Sequence, residues 1–256
     1  MPVPNPVAFT IFNIDVMWYG IIITAGIIAA SVVCCRRAPS YNLTADRIVD
    51  FLIICIPAAI IGARLYYVIF NWSMYSGDFS RIINIRLGGL AIHGGLIAGI
   101  TAAVILCYIY KIRPFKLLDL IAPSVALGQA IGRWGNYFNS EAHGGPTDLP
   151  WAVTVNGIKY HPTFLYESIW CFLLFIFLIC FDRYRNSGNH TKFDGQLIFI
   201  YGILYSLERF FVEGLRTDSL MIGPLKQAQV ISIVILLICL IMYYLFLKKC
   251  LNIQKK

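Results

Sequence analysis

Seven stretches of the chain are almost continuously apolar, with short polar segments between them. They run at about 17–35, 48–70, 90–110, 117–136, 163–181, 195–213 and 227–247. Each is close to the roughly 20 residues a helix needs to span hydrocarbon. The pattern predicts an all-α polytopic membrane protein of seven transmembrane helices in a single integral membrane domain, residues 1–256. One segment breaks the helical pattern. "AVTVNGIKYHP" alternates apolar and polar residues around Asn156-Gly157, a common two-residue hairpin turn. It predicts a small β-hairpin inside an extracytoplasmic head at about 137–162.

The polar linkers are not alike. Arg36, Arg37 and Arg47; Lys111, Arg113 and Lys116; Arg183, Arg185 and Lys192; and the tail with Lys248, Lys249, Lys255 and Lys256 follow the odd-numbered runs. All four clusters therefore fall on one side, which the positive-inside rule makes cytoplasmic. The N-terminus is then outside and the C-terminus inside. The first 35 residues hold no Lys or Arg, so the basic n-region of a cleavable signal peptide is missing and the first run is expected to remain as a span.

Composition agrees with this picture. Of 256 residues, 59% are hydrophobic and 13% charged, and the mean hydropathy is +0.72. The net charge of +8 sits in the topology clusters, without the interleaved aromatics of a nucleic-acid surface. Anionic lipid is the partner such charge suits. The eight cysteines lie in apolar runs or beside basic clusters, with no CxxC pattern, and read as small apolar filler. His143, His161 and His190 lack metal-ligand spacing.

Against this background the ionisable residues in or beside the apolar runs stand out: Arg64, His93, Asp119, Arg133, Glu167, Glu208, Arg209, Glu213 and Arg216. A charge at mid-membrane costs at least about 2.5–3.5 kcal/mol, so such groups face a polar cavity or a partner. All but Asp119 fall in the outer half of the topology, which predicts a cationic, water-accessible cavity opening outward. Arg133 and Asn136 share a helix face, and Gly128 and Gly132 form a GxxxG pair on that helix. Arg209, Glu213 and Arg216 follow i, i+4, i+7 and line one stripe. They fit an internal ion pair, and the excess positive charge also fits a phosphate. His93, at the start of the third run with Gly94 and Gly95 behind it, fits a cap or an interfacial residue as well as a base. Tyr19 fits an aromatic belt. Glu167 fits a structural partner for an arginine.

Five motifs occur in order: "WYG" at Tyr19, "HGGLI" at His93, "GRWGNYFNSEAHG" from Gly132, "HPTFLYE" at His161, and "RFFVEGLR" from Arg209. Together they resemble the bacterial phosphatidylglycerol–prolipoprotein diacylglyceryl transferases, over essentially the whole chain. The resemblance implies seven helices, an outward-facing active site in the bacterial cytoplasmic (inner) membrane and no cofactor. It also implies a reaction. The diacylglyceryl group of phosphatidylglycerol moves to the lipobox cysteine of a prolipoprotein signal peptide, and a glycerol phosphate is released. On the matching motifs it places function at Tyr19, His93, Arg133, Asn136, Glu141, Gly144, Arg209, Glu213 and Arg216. His93 is then the candidate base, with Tyr19 beside the headgroup or base. Arg133 and Arg209 are the candidates to grip phosphate, and Asn136, Gly144 and Arg216 complete the lipid site. Glu141, Glu167, Glu213 and Arg64 are orienting or structural. The chain departs from the family pattern at Ala98, where glycine is usual, and at Gln227-Ala228-Gln229, where "MGQ" is common.

Other classes fit less well. An anion or headgroup transporter predicts an inverted repeat, and none is visible. A metal-dependent alcohol phosphatidyltransferase needs a cytoplasmic aspartate-rich motif, and Asp119 stands alone there.

Overall fold

The computed structural model describes residues 1–2, 4–85, 88–188, 191–217 and 219–254, the last two by backbone alone. His190, Lys255 and Lys256 lie outside the described residues. The described chain is mainly helical, with three two-stranded antiparallel ribbons. In order it forms β1 (Val7–Ile11), β2 (Ile14–Met17), α1 (Trp18–Arg37), α2 (Ala45–Phe70), α3 (Phe79–Ile83), α4 (Ile92–Ile109), α5 (Pro114–Phe138), β3 (Val153–Val155), β4 (Ile158–Tyr160), α6 (Thr163–Asn186), α7 (Gln196–Leu215), β5 (Met221–Ile222), β6 (Leu225–Lys226) and α8 (Gln227–Gln254).

Six of these helical stretches are long and apolar enough to cross a membrane: Trp18–Tyr41, Ala45–Phe70, Ile92–Ile109, Pro114–Phe138, Thr163–Asn186 and Gln227–Asn252. The expected run at 195–213 does fold as a helix, α7. It carries Glu208, Arg209 and Glu213 well inside its length, which leaves no stretch long and apolar enough to cross by itself. Its charges need partners on neighbouring helices.

The chain divides into two compact units, residues 1–33 with 118–256, and residues 34–117. In the first, Ala122 and Ala126 of α5, Leu174 and Leu178 of α6 and Leu197 of α7 form a buried core. Small residues bring α1 against α5. A Cβ on Gly26 would stand 3.2 Å from the Gly128 carbonyl, one on Gly132 3.3 Å from Ile23, and one on Gly135 2.7 Å from the Tyr19 ring. The GxxxG pair thus serves a helix contact, as its spacing suggests. The expected hairpin is β3–β4, with Asn156 and Gly157 at positive φ (51° and 82°) in its turn. β1–β2 and β5–β6 are two further hairpins.

One end of α5, α6 and α7 corrects the reading of two residues. Arg185, counted among the basic linker residues, also has a structural part. It is buried within α6 and pairs with Asp182 at 2.9 Å and Asp119 at 3.2 Å. Asp119 is therefore not alone. It also accepts the backbone N–H groups of Gly195 (3.0 Å), Leu197 (2.8 Å) and Ile198 (3.0 Å), capping the start of α7. Those are the donors that a helix N-terminus leaves unsatisfied.

In the second unit α2 and α4 pack through glycines. A Cβ on Gly62 would lie 2.6 Å from the Gly94 carbonyl, and one on Gly95 3.2 Å from that of Ala59. Ala98, the departure from the family pattern, abuts Gly62 in this crossing. Arg64 of α2 is buried and donates to the carbonyls of Arg81 (2.6 Å), Ile82 (2.8 Å), Gly88 (2.7 Å) and Gly89 (2.9 Å), with its guanidinium over the Tyr75 ring. It holds the loop between α2 and α4 in place.

Candidate active site

Within the first unit, the end of the α5–α6–α7 bundle opposite Asp119 gathers most of the charged residues singled out above. Arg133 comes from the last turns of α5, Glu167 from the start of α6, and Arg209 and Glu213 from the last turns of α7, with Arg216 at its C-cap. Glu167 is shared between two helices. Its Oε1 accepts from Arg209 Nη1 at 2.8 Å, and its Oε2 lies 2.5 Å from Arg133 Nη2. The second contact is an ion pair without hydrogen-bond alignment. Arg133 Nη2 also donates to Tyr205 Oη at 3.3 Å.

The chain of charges continues along α7. Arg209 Nη2 stands 2.6 Å from Glu213 Oε2, and Arg216 Nε stands 4.0 Å from the same oxygen. Ser219 Oγ donates to Glu213 Oε1. The i, i+4, i+7 stripe thus forms, and α6 joins it. The carboxylates of Glu167 and Glu213 are almost wholly buried, at 2% and 5% exposed. The side chains of Arg133, Arg209 and Arg216 keep 21%, 18% and 15% of their surface. Three arginines against two glutamates leave a formal excess of one positive charge. The acids are the more buried partners and the bases the more exposed ones, an order that suits contact with an anion.

Glu208, next to Arg209, is the exception. It is buried in the field of Glu167, Arg133 and Arg209, but neither of its oxygens has a hydrogen-bond partner among the described residues. Counting it brings the formal sum to zero, although it makes no direct pair with a guanidinium among those residues.

Asn136 lies one turn from Arg133 but serves a different structure. Its Nδ2 donates to Glu141 Oε1 at 3.3 Å, Asn139 donates to the same oxygen at 3.2 Å, and Glu141 N returns to the Asn136 carbonyl at 3.1 Å. This small ring closes the loop that ends α5. Ser140 and Ala142 both take positive φ, 56° and 57°, an uncommon conformation held by these hydrogen bonds. The loop is then fastened to the arginine cluster. Gly145 N donates to the Leu215 carbonyl at 2.9 Å, Gly144 N to the His161 carbonyl at 2.9 Å, and Gly144 bridges Arg216 in antiparallel fashion. A Cβ on Gly144 would fall 2.7 Å from His161 Cβ and 3.1 Å from the Leu215 oxygen, so this close approach needs glycine.

Tyr19 is 40% exposed at the head of α1, its ring against Gly135 on the helix that carries Arg133. Beside it an apolar groove of about 690 Å³ runs along α1, α5 and α6. Trp134 and Ser168, the chain neighbours of Arg133 and Glu167, line it. His93 and Arg64 belong to the second unit. His93 is exposed at the first turn of α4, its ring 6.2 Å from that of Tyr66.

A family model described as prolipoprotein diacylglyceryl transferase matches residues 6–245. The chain belongs to that family. Among its relatives are enzymes named phosphatidylglycerol–prolipoprotein diacylglyceryl transferase. The Finegoldia magna protein is 49% identical over 250 residues, 98% of this chain and 99% of that one. The Clostridioides difficile protein is 52% identical over 228 residues, 89% and 90% of the two chains. The Clostridium novyi protein is 47% identical over 248 residues, 93% and 94%. Three of the five motifs that pointed to this transferase family, those from Gly132, His161 and Arg209, build the cluster and the loop fastened to it.

Some participants carried no sequence signal. Tyr205 looks like any aromatic in an apolar run, and Ser219 and Lys226 look like loop residues. Their positions opposite Arg133, Glu213 and the end of α7 emerge only from the fold.

Proposed function

We propose that this protein moves the diacylglyceryl group of phosphatidylglycerol onto the thiol of a prolipoprotein's lipobox cysteine and releases glycerol phosphate. The observation that carries the reading is the arrangement around Glu167. One buried carboxylate fixes two guanidiniums from different helices, on side chains that keep 21% and 18% of their surface. Family membership and the relatives' names support it, as does the apolar groove beside Arg133, which suits a lipid whose phosphate lies at the cluster.

In this reading the thiolate sulfur attacks the sp³ glycerol carbon that bears the phosphate ester. The carbon–oxygen bond breaks, and the oxygen leaves with its electron pair as part of the phosphate. Arg133 and Arg209 hold the phosphate oxygens and stabilise the charge that grows there, since fixed donors act more strongly in a water-poor site than in bulk. Glu167 and Glu213 keep those guanidiniums aimed. Arg216 adds a third positive charge, while Asn136, Glu141 and Gly144 shape the loop against which the headgroup lies. Tyr19, on the α1 side of α5, borders the lipid. A free cysteine has a pKa near 8.5, so a base that takes the thiol proton speeds attack. His93 is assigned that part on the sequence resemblance alone.

For topology, α7 is read as the seventh span, with Arg209 paired to Glu167 of α6 and to Glu213 of its own helix. The N-terminus lies outside the cytoplasmic membrane, the C-terminus inside, and the arginine cluster faces outward with the head at 137–162. The basic linkers support this orientation.

The test combines purified protein, phosphatidylglycerol vesicles and a synthetic lipobox peptide, read by peptide mass. A diacylglyceryl mass gain with equimolar glycerol phosphate is expected. It should be lost with a Cys-to-Ser peptide. An unmodified peptide in the presence of folded protein contradicts the proposal.

A further inference from the structure

β6 ends in Lys226, which has no part in the chemistry above. Pairing of Met221 with Lys226 and of Ile222 with Leu225, around Gly223 at φ 61°, turns the chain back so that this side chain returns to the end of α7. There its ammonium donates to the carbonyls of Glu213 (2.8 Å) and Gly214 (3.1 Å), and in a shorter contact to that of Arg216. An ammonium has three N–H donors, so all are engaged and none is left for a phosphate. The Lys226 backbone N–H donates to Gln229 Oε1 at 3.1 Å, and Gln229 Nε2 reaches the Phe210 carbonyl at 3.2 Å. Gln229 belongs to the segment in which this chain departs from the common pattern, and here it braces the same helix end.

The placement matters electrostatically. The last carbonyls of a helix carry the negative end of its macrodipole, equivalent to about half an elementary charge. At the end of α7 that negative pole would stand beside a site built for an anion. Lys226 covers it with a cation and fixes the Arg216 backbone, whose bridge to Gly144 anchors the signature loop. We propose that Lys226 is a positioning residue: by capping the carbonyls at the end of α7 it masks their negative pole and holds Arg216 and Gly144 in register for an anionic headgroup. The inference rests on the transferase reading for its kinetic consequence and on the hydrogen bonds alone for its structural one.

The experiment uses full-length Lys226→Met and Lys226→Arg in the peptide-mass assay, together with amide hydrogen exchange. Loss of a cation at a partly buried helix end predicts about a tenfold rise in KM for phosphatidylglycerol in Lys226→Met. The kcat should stay within about twofold and the peptide KM unchanged, since the loss falls on binding of one substrate. Lys226→Arg should restore most of the lipid affinity. Exchange at Gly214–Arg216 and at Gly144–Gly145 should quicken in Lys226→Met while α6 is unaffected. A fall in kcat with unchanged lipid KM overturns the positioning role, because that is what a smaller folded fraction gives. If the wild-type protein transfers nothing, the proposed function fails, and exchange alone decides: unchanged protection at these amides overturns the clamp.

Discussion

The same three helices, α5, α6 and α7, carry an ion cluster at each end, and the two are built on opposite plans. At one end Arg185 lies between Asp119 and Asp182, with Arg185 and Asp119 both 2% exposed. Its excess negative charge is absorbed by three backbone N–H groups at the start of α7. At the other end, about 21 Å along α5 by helical rise from Asp119 to Arg133, three arginines meet Glu167 and Glu213 with Glu208 buried beside them, and the arginine side chains keep part of their surface. The first cluster is complete as it stands. The second keeps part of the surface of its arginine side chains exposed. A charge inside an apolar bundle is thus not by itself a sign of chemistry; what distinguishes the two ends is whether the arginine side chains are sealed or partly exposed.

That contrast can be broken at either end. The largest effect is expected at the open cluster. Arg133→Gln should lower kcat/KM for phosphatidylglycerol by about 10²–10³, the usual cost of removing a charge-stabilising donor. Arg185→Gln should do the reverse: lost stability of about 3–5 kcal/mol, since it leaves buried carboxylates unpaired, with unchanged KM in whatever protein folds. Thermal unfolding in detergent beside the transfer assay separates the two.

Glu167→Gln sharpens the comparison from the acidic side. It removes a charge that both arginines share, so lipid should bind at least as tightly. The guanidiniums lose the anchor that aims them, so kcat should fall about tenfold in steady-state kinetics, as a single charge-assisted contact allows. Next in size, Gly144→Ala forces a Cβ against His161 and the Leu215 oxygen and should cost about 1–3 kcal/mol in unfolding free energy. The smallest effect is expected far from the cluster, at Gly157 in the β3–β4 turn. Gly157→Ala meets no neighbour but must hold φ at 82°, which costs about 1 kcal/mol and should leave kcat/KM unchanged.

The sequence made much of this legible, for identifiable reasons. Apolar runs mark helices directly, and all seven runs are helices. Asn156-Gly157 announces its hairpin because few residue pairs accept positive φ twice. The turn between β1 and β2 places Phe12 and Asn13 at φ 49° and 58°, and a phenylalanine there gives no such signal. Arg133, Glu167, Arg209, Glu213 and Arg216 were visible as charges too costly to leave in lipid, and Glu141 and Gly144 as parts of a motif. Linear patterns cannot show partnership across helices. Arg185 sits among basic linker residues and looked like a topology signal, while its pairing with Asp119, 66 positions away, is a property of the packed bundle. For the same reason, Arg64 could be suspected of a structural part while its four carbonyl partners could not be named. Glu208 is legible as a charge in an apolar run but lies outside the motif and the stripe that single out Glu213, and its want of a hydrogen-bond partner among the described residues is seen only in the fold.

The central claim is that the open cluster holds the phosphate of an anionic lipid and the sealed one does not. The most direct test is the dissociation constant of short-chain phosphatidylglycerol in detergent for wild type, Arg133→Gln and the folded fraction of Arg185→Gln. The account predicts saturable binding by wild type and Arg185→Gln, weakened at least about tenfold in Arg133→Gln, the scale of one charge-assisted hydrogen-bonded contact. Equal affinity in wild type and Arg133→Gln would contradict it.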